Sequence, residues 1–241
     1  MKAKAINTEF HRENILNILK GLGYQECRIM NLYLYGSRVY GTNNKDSDYD
    51  ILALVKSMDE HKEIAIDNYN IHICTPDYFK DELANYNVVY LECLFAPQWA
   101  KLLEKQEYHT IICPEKLEKL FAGKAHVAWK KCKYRLSKGD YYRGLKSYFH
   151  SIRIIDFGIQ IIENGKIVNF SSCNNIWEKL IKLYDKNQVL KWRMLNNKFY
   201  WKKKLLRDEL RNKTIALNVS EQNKQTEQTE QTEQNEENKE K

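Results

Sequence analysis

The hydrophobic spacing changes period along the chain, and each change marks an element. Residues 9–20 (EFHRENILNILK) set Phe10, Ile15, Leu16 and Leu19 at helical spacing, with Gly21 or Gly23 to close the helix. Two strands follow, Ile29 to Tyr35 and then Asp48 to Val55, the second carrying the apolar run Ile51 to Val55. A hairpin is predicted from Lys62–Ile66 and Asn70–Cys74, joined by Asp67-Asn68-Tyr69. Thr75 is a natural cap and Pro76 a natural first-turn residue for a helix reaching about Asn85. Val88 to Phe95 is apolar enough for a buried strand or a short helix, and a less regular segment lies between Pro97 and Pro114.

Beyond Pro114 the period is helical throughout. One helix is expected over 115–137, with Gly123 as a point where it could break and Gly139 beyond its end; a second runs from the cap Asp140 to Gly165. Asn174–Asp185 and Asn187–Lys213 give two more. In the second helix Leu145, Phe149, Ile152, Ile155, Ile159 and Ile162 mark the core side, while Arg143, Lys146, His150 and Arg153 fall on one polar stripe. Such a stripe is a solvated basic face or a seat for an anion. The last helix mixes Lys202, Lys203, Lys204, Arg207 and Arg211 with Trp192, Tyr200 and Trp201. That mixture suits nucleic acid, although aromatics in the core and lysines in water is the weightier reading.

Composition narrows the class. The chain has 241 residues, 43% hydrophobic, enough for one large domain or two small ones. No apolar run approaches the ~18–20 residues of a membrane span, and the polar start MKAKAINTEFHREN does not read as a secretory signal. The six cysteines form no Cys-x-x-Cys and no paired His spacing, which argues against zinc or a disulfide framework and for a reducing, cytoplasmic compartment. Net charge is +7, but residues 221–241 hold seven Glu and three Lys, leaving +11 on the first 220 residues. That tail has no apolar residue and is expected to be disordered, whereas the basic remainder favours phosphate-bearing partners.

The chemistry concentrates in residues 36–51, GSRVYGTNNKDSDYDI. Gly36 permits a sharp bend without a Cβ in the way of a ligand. Ser37 can cap a one-turn helix that Gly41 stops, Arg38 offers a phosphate-binding fork, and Asp48 and Asp50 lie two apart so that a strand presents both on one face. Paired carboxylates repel unless a cation lies between them, and Mg²⁺ or Mn²⁺ with a nucleoside triphosphate suits such a pair.

Leu34-Tyr35-Gly36-Ser37 followed by Asp48-Tyr49-Asp50-Ile51 resembles the signature of the DNA polymerase beta-like nucleotidyltransferase superfamily. The string YGSRVYGTNNKDSDYDI is similar to a branch of predicted nucleotidyltransferases from bacteria, phages and large DNA viruses. Leu91 to Phe95 and the Lys146, His150, Arg153 pattern resemble later segments of that branch. The resemblance implies an α/β (α+β) fold: a small mixed sheet with flanking helices over 1–110, a helical domain over 111–215, and a polar tail over 216–241. It implies metal ligation by Asp48 and Asp50, nucleotide contacts from Gly36, Ser37, Arg38, Lys146, His150 and Arg153, and transfer from a triphosphate such as ATP to a hydroxyl of RNA, a small molecule or a protein. The superfamily also has a third acidic residue on a later strand. Here the corresponding positions hold Asn70 and His72, with Asp67 in the turn. A catalytically degenerate module that binds nucleotide or RNA, as sensor or partner subunit, is the alternative.

Overall fold

The computed structural model describes residues 8–56, 61–185, 204–205, 207–218 and 220. Among these the chain divides into two compact units, one of residues 8–111 and 166–185, the other of 112–165 with those from 204 onward. No helix among the described residues is long and apolar enough to cross a membrane.

The first unit is built on a five-stranded mixed sheet. Its strands are β1 (Ile29–Tyr35), β2 (Tyr49–Val55), β3 (Lys62–Ile66), β4 (Tyr69–Cys74) and β5 (Lys101–Glu104), in the order β3-β4-β2-β1-β5. β2 pairs antiparallel with β1 and parallel with β4. Alternation along these strands sorts the side chains. Leu32, Leu34, Ile51, Ala53, Ile71 and Ile73 share a core with Ile15, Leu16 and Leu19 of α1 (Thr8–Gly21). The opposite face carries Tyr33, which stacks on Phe79 of α3 (Pro76–Ala84) at 5.9 Å, and His72, which meets Tyr90 of α4 (Val88–Leu94) edge-on. Thr75 caps α3 by accepting from the Tyr78 N–H at 3.1 Å.

Several elements differ from the sequence reading. Phe10 is 54% exposed and His11 is buried instead, because the α1 stripe turns on residues 11, 15, 16 and 19. Val88–Leu94 is helical, and the Pro97–Pro114 segment contains β5, a four-residue edge strand too short to show alternation. Asn31 holds that edge: its fully buried amide donates to Gln106 O at 2.7 Å and accepts from Gln106 N at 3.2 Å. Residues 166–185 return to the first unit; Phe170 packs on the sheet core, and in α7 (Asn174–Asp185) Asn174 donates to Tyr40 O at 2.8 Å.

The second unit is a helical hairpin of α5 (Pro114–Ser137) and α6 (Tyr141–Asn164), with residues 207–218 helical as well. α5 runs unbroken through Gly123. Gly158 lets Phe121 and Leu210 approach α6 closely, a Cβ there standing 3.0 Å from Phe121. All six predicted apolar positions of α6 are buried. The four-cation stripe does not survive. Arg143 and Lys146 are exposed, but Arg153 is buried and donates to His150 Nδ1 at 2.7 Å. An imidazole nitrogen that accepts from a guanidinium carries no proton. Burial, with Arg153 and Lys131 adding to it, pushes His150 down to about 3. The proposed helix over 187–213 lies outside the described residues up to 203, as do Trp192, Tyr200, Trp201, Lys202, Lys203 and the tail from 221; the helix continues to Asn218, inside the span assigned to the tail.

A pH dependence follows. The folded state excludes a proton that the unfolded imidazole takes up near its ordinary value of 6.5. Its contribution is therefore complete above that pH and is lost as pH falls toward 3, by up to about 1.4 kcal/mol per pH unit. Urea midpoints between pH 7 and 4.5 are expected to fall less steeply in His150→Asn, which keeps an acceptor but does not titrate.

Candidate active site

β1 ends at Tyr35 and the chain turns through Gly36 into α2 (Ser37–Tyr40), a single turn stopped by Gly41 in the left-handed region. Gly36 is the cap, its carbonyl accepting from the Val39 and Tyr40 N–H groups, and Ser37 is the first helical residue rather than the cap. The Gly36 backbone (φ 79°, ψ −154°) lies in a region essentially reserved for glycine. A Cβ there would stand 2.2 Å from Asp50 Oδ2. The absent side chain is what lets the Asp50 carboxylate lie against the bend.

Asp50 is the second residue of β2 and pairs with Tyr35 on one side and Asn70 on the other. Asp48 precedes the strand rather than opening it, and it is exposed. Its position is fixed by Arg38. That guanidinium donates through Nε to Asp48 O at 3.1 Å and through Nη2 to Ser47 O, and it lies 3.5 Å from the Tyr49 ring centroid. On the far side Tyr49 meets His11 at 4.1 Å. His11 in turn bonds Tyr69 OH at 2.7 Å, and burial, then Arg38, hold its pKa below the ordinary value. Arg38 thus grips the loop that carries Asp48.

Gly36, Ser37, Arg38, Asp48 and Asp50 come together in the first unit. Lys146, His150 and Arg153 belong to α6 in the second. Asn70 stands in register with Asp50 and donates to Glu63 Oε1 at 3.2 Å. His72 lies deeper, opposite Leu52, with burial depressing its pKa, and Asp67 sits in the β3–β4 turn at φ 53°.

Sequence reasoning missed two carboxylates. Glu63 pairs opposite His72 across the hairpin and so shares the face of Asp50. Strict alternation back from the Asp67-Asn68 turn would have found it. Glu92 on α4 is 3% exposed and accepts a hydrogen bond from Tyr40 OH. The signal for it was the Leu91 to Phe95 segment, whose acid stands among apolar residues. Burial first, then Asp50, with Cys93, Glu63 and Glu92 adding, raises the Tyr35 phenol far above its ordinary value. That phenol marks the negative field on this side of the sheet.

Residues 12–127 match the family described as nucleotidyltransferase domain. Those residues carry a nucleotidyltransferase domain, and a helical part follows it. A domain of this kind moves a nucleoside monophosphate from a nucleoside triphosphate. Among solved structures, a nucleotidyltransferase-like protein from Exiguobacterium sibiricum 255-15 is similar at 13% identity and TM-score 0.30, over 86% of this chain and 75% of that one. A spectinomycin adenyltransferase from Enterococcus faecialis, solved with ATP and spectinomycin, is similar at 13% identity and TM-score 0.44, over 84% and 99%. No curated protein matches the sequence.

Proposed function

We propose that the protein transfers a nucleoside monophosphate from a triphosphate, ATP among the candidates, to a hydroxyl acceptor, with Asp48 and Asp50 holding divalent metal and pyrophosphate leaving. The observation that carries this is the 2.2 Å that a Gly36 Cβ would leave to Asp50 Oδ2. It supports a shared site for the Gly36 bend and the Asp50 carboxylate.

Asp48 and Asp50 offer hard oxygen donors of the kind that Mg²⁺ or Mn²⁺ takes. Among the described residues no group of three or more His, Cys, Asp or Glu could hold a metal. A two-carboxylate site completed by water and phosphate oxygens is what a hard ion such as Mg²⁺ accepts. When bound, it would stabilise charge on the attacking and leaving oxygens. The bend at Gly36 and Ser37 would receive the phosphates, and Arg38 would hold Asp48 at the working distance. In the reaction the acceptor oxygen bonds the α-phosphorus while the bond to the β-phosphate oxygen breaks. The acceptor is a hydroxyl of RNA, a small molecule or a protein.

Incubation with α-labelled triphosphates, Mg²⁺ or Mn²⁺, and pooled RNA or small hydroxyl compounds is expected to yield labelled acceptor and pyrophosphate, abolished by a chelator. Arg38→Ala is expected to raise the metal concentration for half-maximal transfer by about tenfold, with little loss of fold. Asn70 beside Asp50, where the superfamily pattern calls for an acid, favours the second reading of a binding module. Metal-dependent nucleotide binding without transfer, with transfer appearing in Asn70→Asp, would establish that reading instead.

A further inference from the structure

Helix α5 is the most basic element among the described residues, with seven Lys or Arg against two Glu. Leu117, Phe121, Ala125 and Cys132 occupy its buried side. Lys119, Lys124, Lys131, Lys133 and Lys138 are all exposed, and among the described residues no salt bridge reaches them. They are also periodic. Lys124, Lys131 and Lys138 follow at seven-residue steps, and Lys119 and Lys133 are two such steps apart. Seven helical residues rise about 10.5 Å.

The chain leaves the described part of this unit beside the start of that row. Asn218 Nδ2 donates to Glu115 Oε1, in the first turn of α5, at 2.6 Å. Residues 221–241 continue from there with seven Glu and three Lys, and Glu227, Glu230, Glu233 and Glu236 recur every third residue. Three residues of extended or polyproline-like chain span about 9–10 Å. Acid and base therefore repeat at nearly the same interval. The reach suffices as well, since twenty-one extended residues cover up to about 70 Å and a 24-residue helix spans about 36 Å.

We propose that the exposed face of α5 is a docking surface for the chain's own segment 221–241, whose glutamates pair along the lysine rows. Each exposed pair is weak and salt-screened, so the contact gains its occupancy from the tether and from repetition. It shields the lysine rows from other polyanions, RNA included. The contact is independent of the transfer chemistry proposed above.

Zero-length carbodiimide cross-linking of the full chain, mapped by mass spectrometry, tests it directly. At about 20 mM salt, links from Glu227–Glu236 are expected to concentrate on Lys119, Lys124, Lys131, Lys133 and Lys138, and to fade at about 500 mM. Links spread equally over Lys56 and Lys62 of the first unit would overturn it. A variant with Glu227, Glu230, Glu233 and Glu236 all changed to Gln should bind a 20-nucleotide polyuridylate roughly tenfold or more tightly at low salt than the wild-type chain. Equal, measurable affinity in the two would show an open face with RNA as its occupant. If neither binds, the cross-link map alone decides.

Discussion

Gly36→Ala is expected to lower nucleotidyl transfer by at least about a hundredfold, the scale associated with a displacement of about 1 Å in reacting groups. Two effects add. The new Cβ would lie 2.2 Å from Asp50 Oδ2 and 3.0 Å from its Cγ, so the carboxylate or the bend must move. The backbone at φ 79°, ψ −154° is also strained for any side chain, by about 1–3 kcal/mol. Transfer rate and thermal midpoint should be measured together, with Gly21→Ala and Gly123→Ala as controls, because a Cβ at either meets nothing within 4 Å. A Gly36→Ala enzyme that turns over at the wild-type rate would show that bend and acid need not share a site.

Asp50→Asn keeps the shape and removes the charge. Transfer is expected to fall about 10²–10³-fold, equivalent to about 3–4 kcal/mol of transition-state stabilisation. Stability should hold or rise, since a charge is withdrawn from the side of the sheet where Glu63 and Glu92 also act on Tyr35. For the same reason the raised Tyr35 pKa should move back toward its ordinary value. Asp48 is exposed and sits on the loop that Arg38 grips, so Asp48→Asn should act more on the metal concentration needed than on the maximal rate. Titrations of rate against Mn²⁺ separate the two. Full activity in Asp50→Asn at saturating metal would refute the assignment.

The sheet was legible wherever alternation or apolar length decided it. β1 and β3 fall at the predicted residues and β2 and β4 within one, because central strands bury both faces and the Asp67 turn fixes the hairpin. The approach of Gly36 to Asp50 was expected from strand-turn-strand spacing, and the Tyr35–Asp50 register brings it about. What escaped depends on neighbours distant in sequence. His11 displaced Phe10 from the core because Tyr49 and Tyr69 offer it a ring and a hydroxyl. Arg38 looked like a phosphate fork, yet its partners are two carbonyls nine and ten residues ahead. Lys146, His150 and Arg153 share a helical stripe, but burial separates a solvated lysine from a neutral imidazole and a packed guanidinium.

The return of residues 166–185 has a consequence for synthesis. Phe170 packs on the sheet core, and Asn174 of α7 seats on the Tyr40 carbonyl, so the first unit lacks part of its packing until residue 185 has emerged from the ribosome. The helical hairpin, complete by Gly165, can form earlier although it is encoded later than the strands. A nascent chain stopped at that glycine should be readily cut by protease within its first hundred residues. One long enough to bring residue 185 out of the exit tunnel should resist.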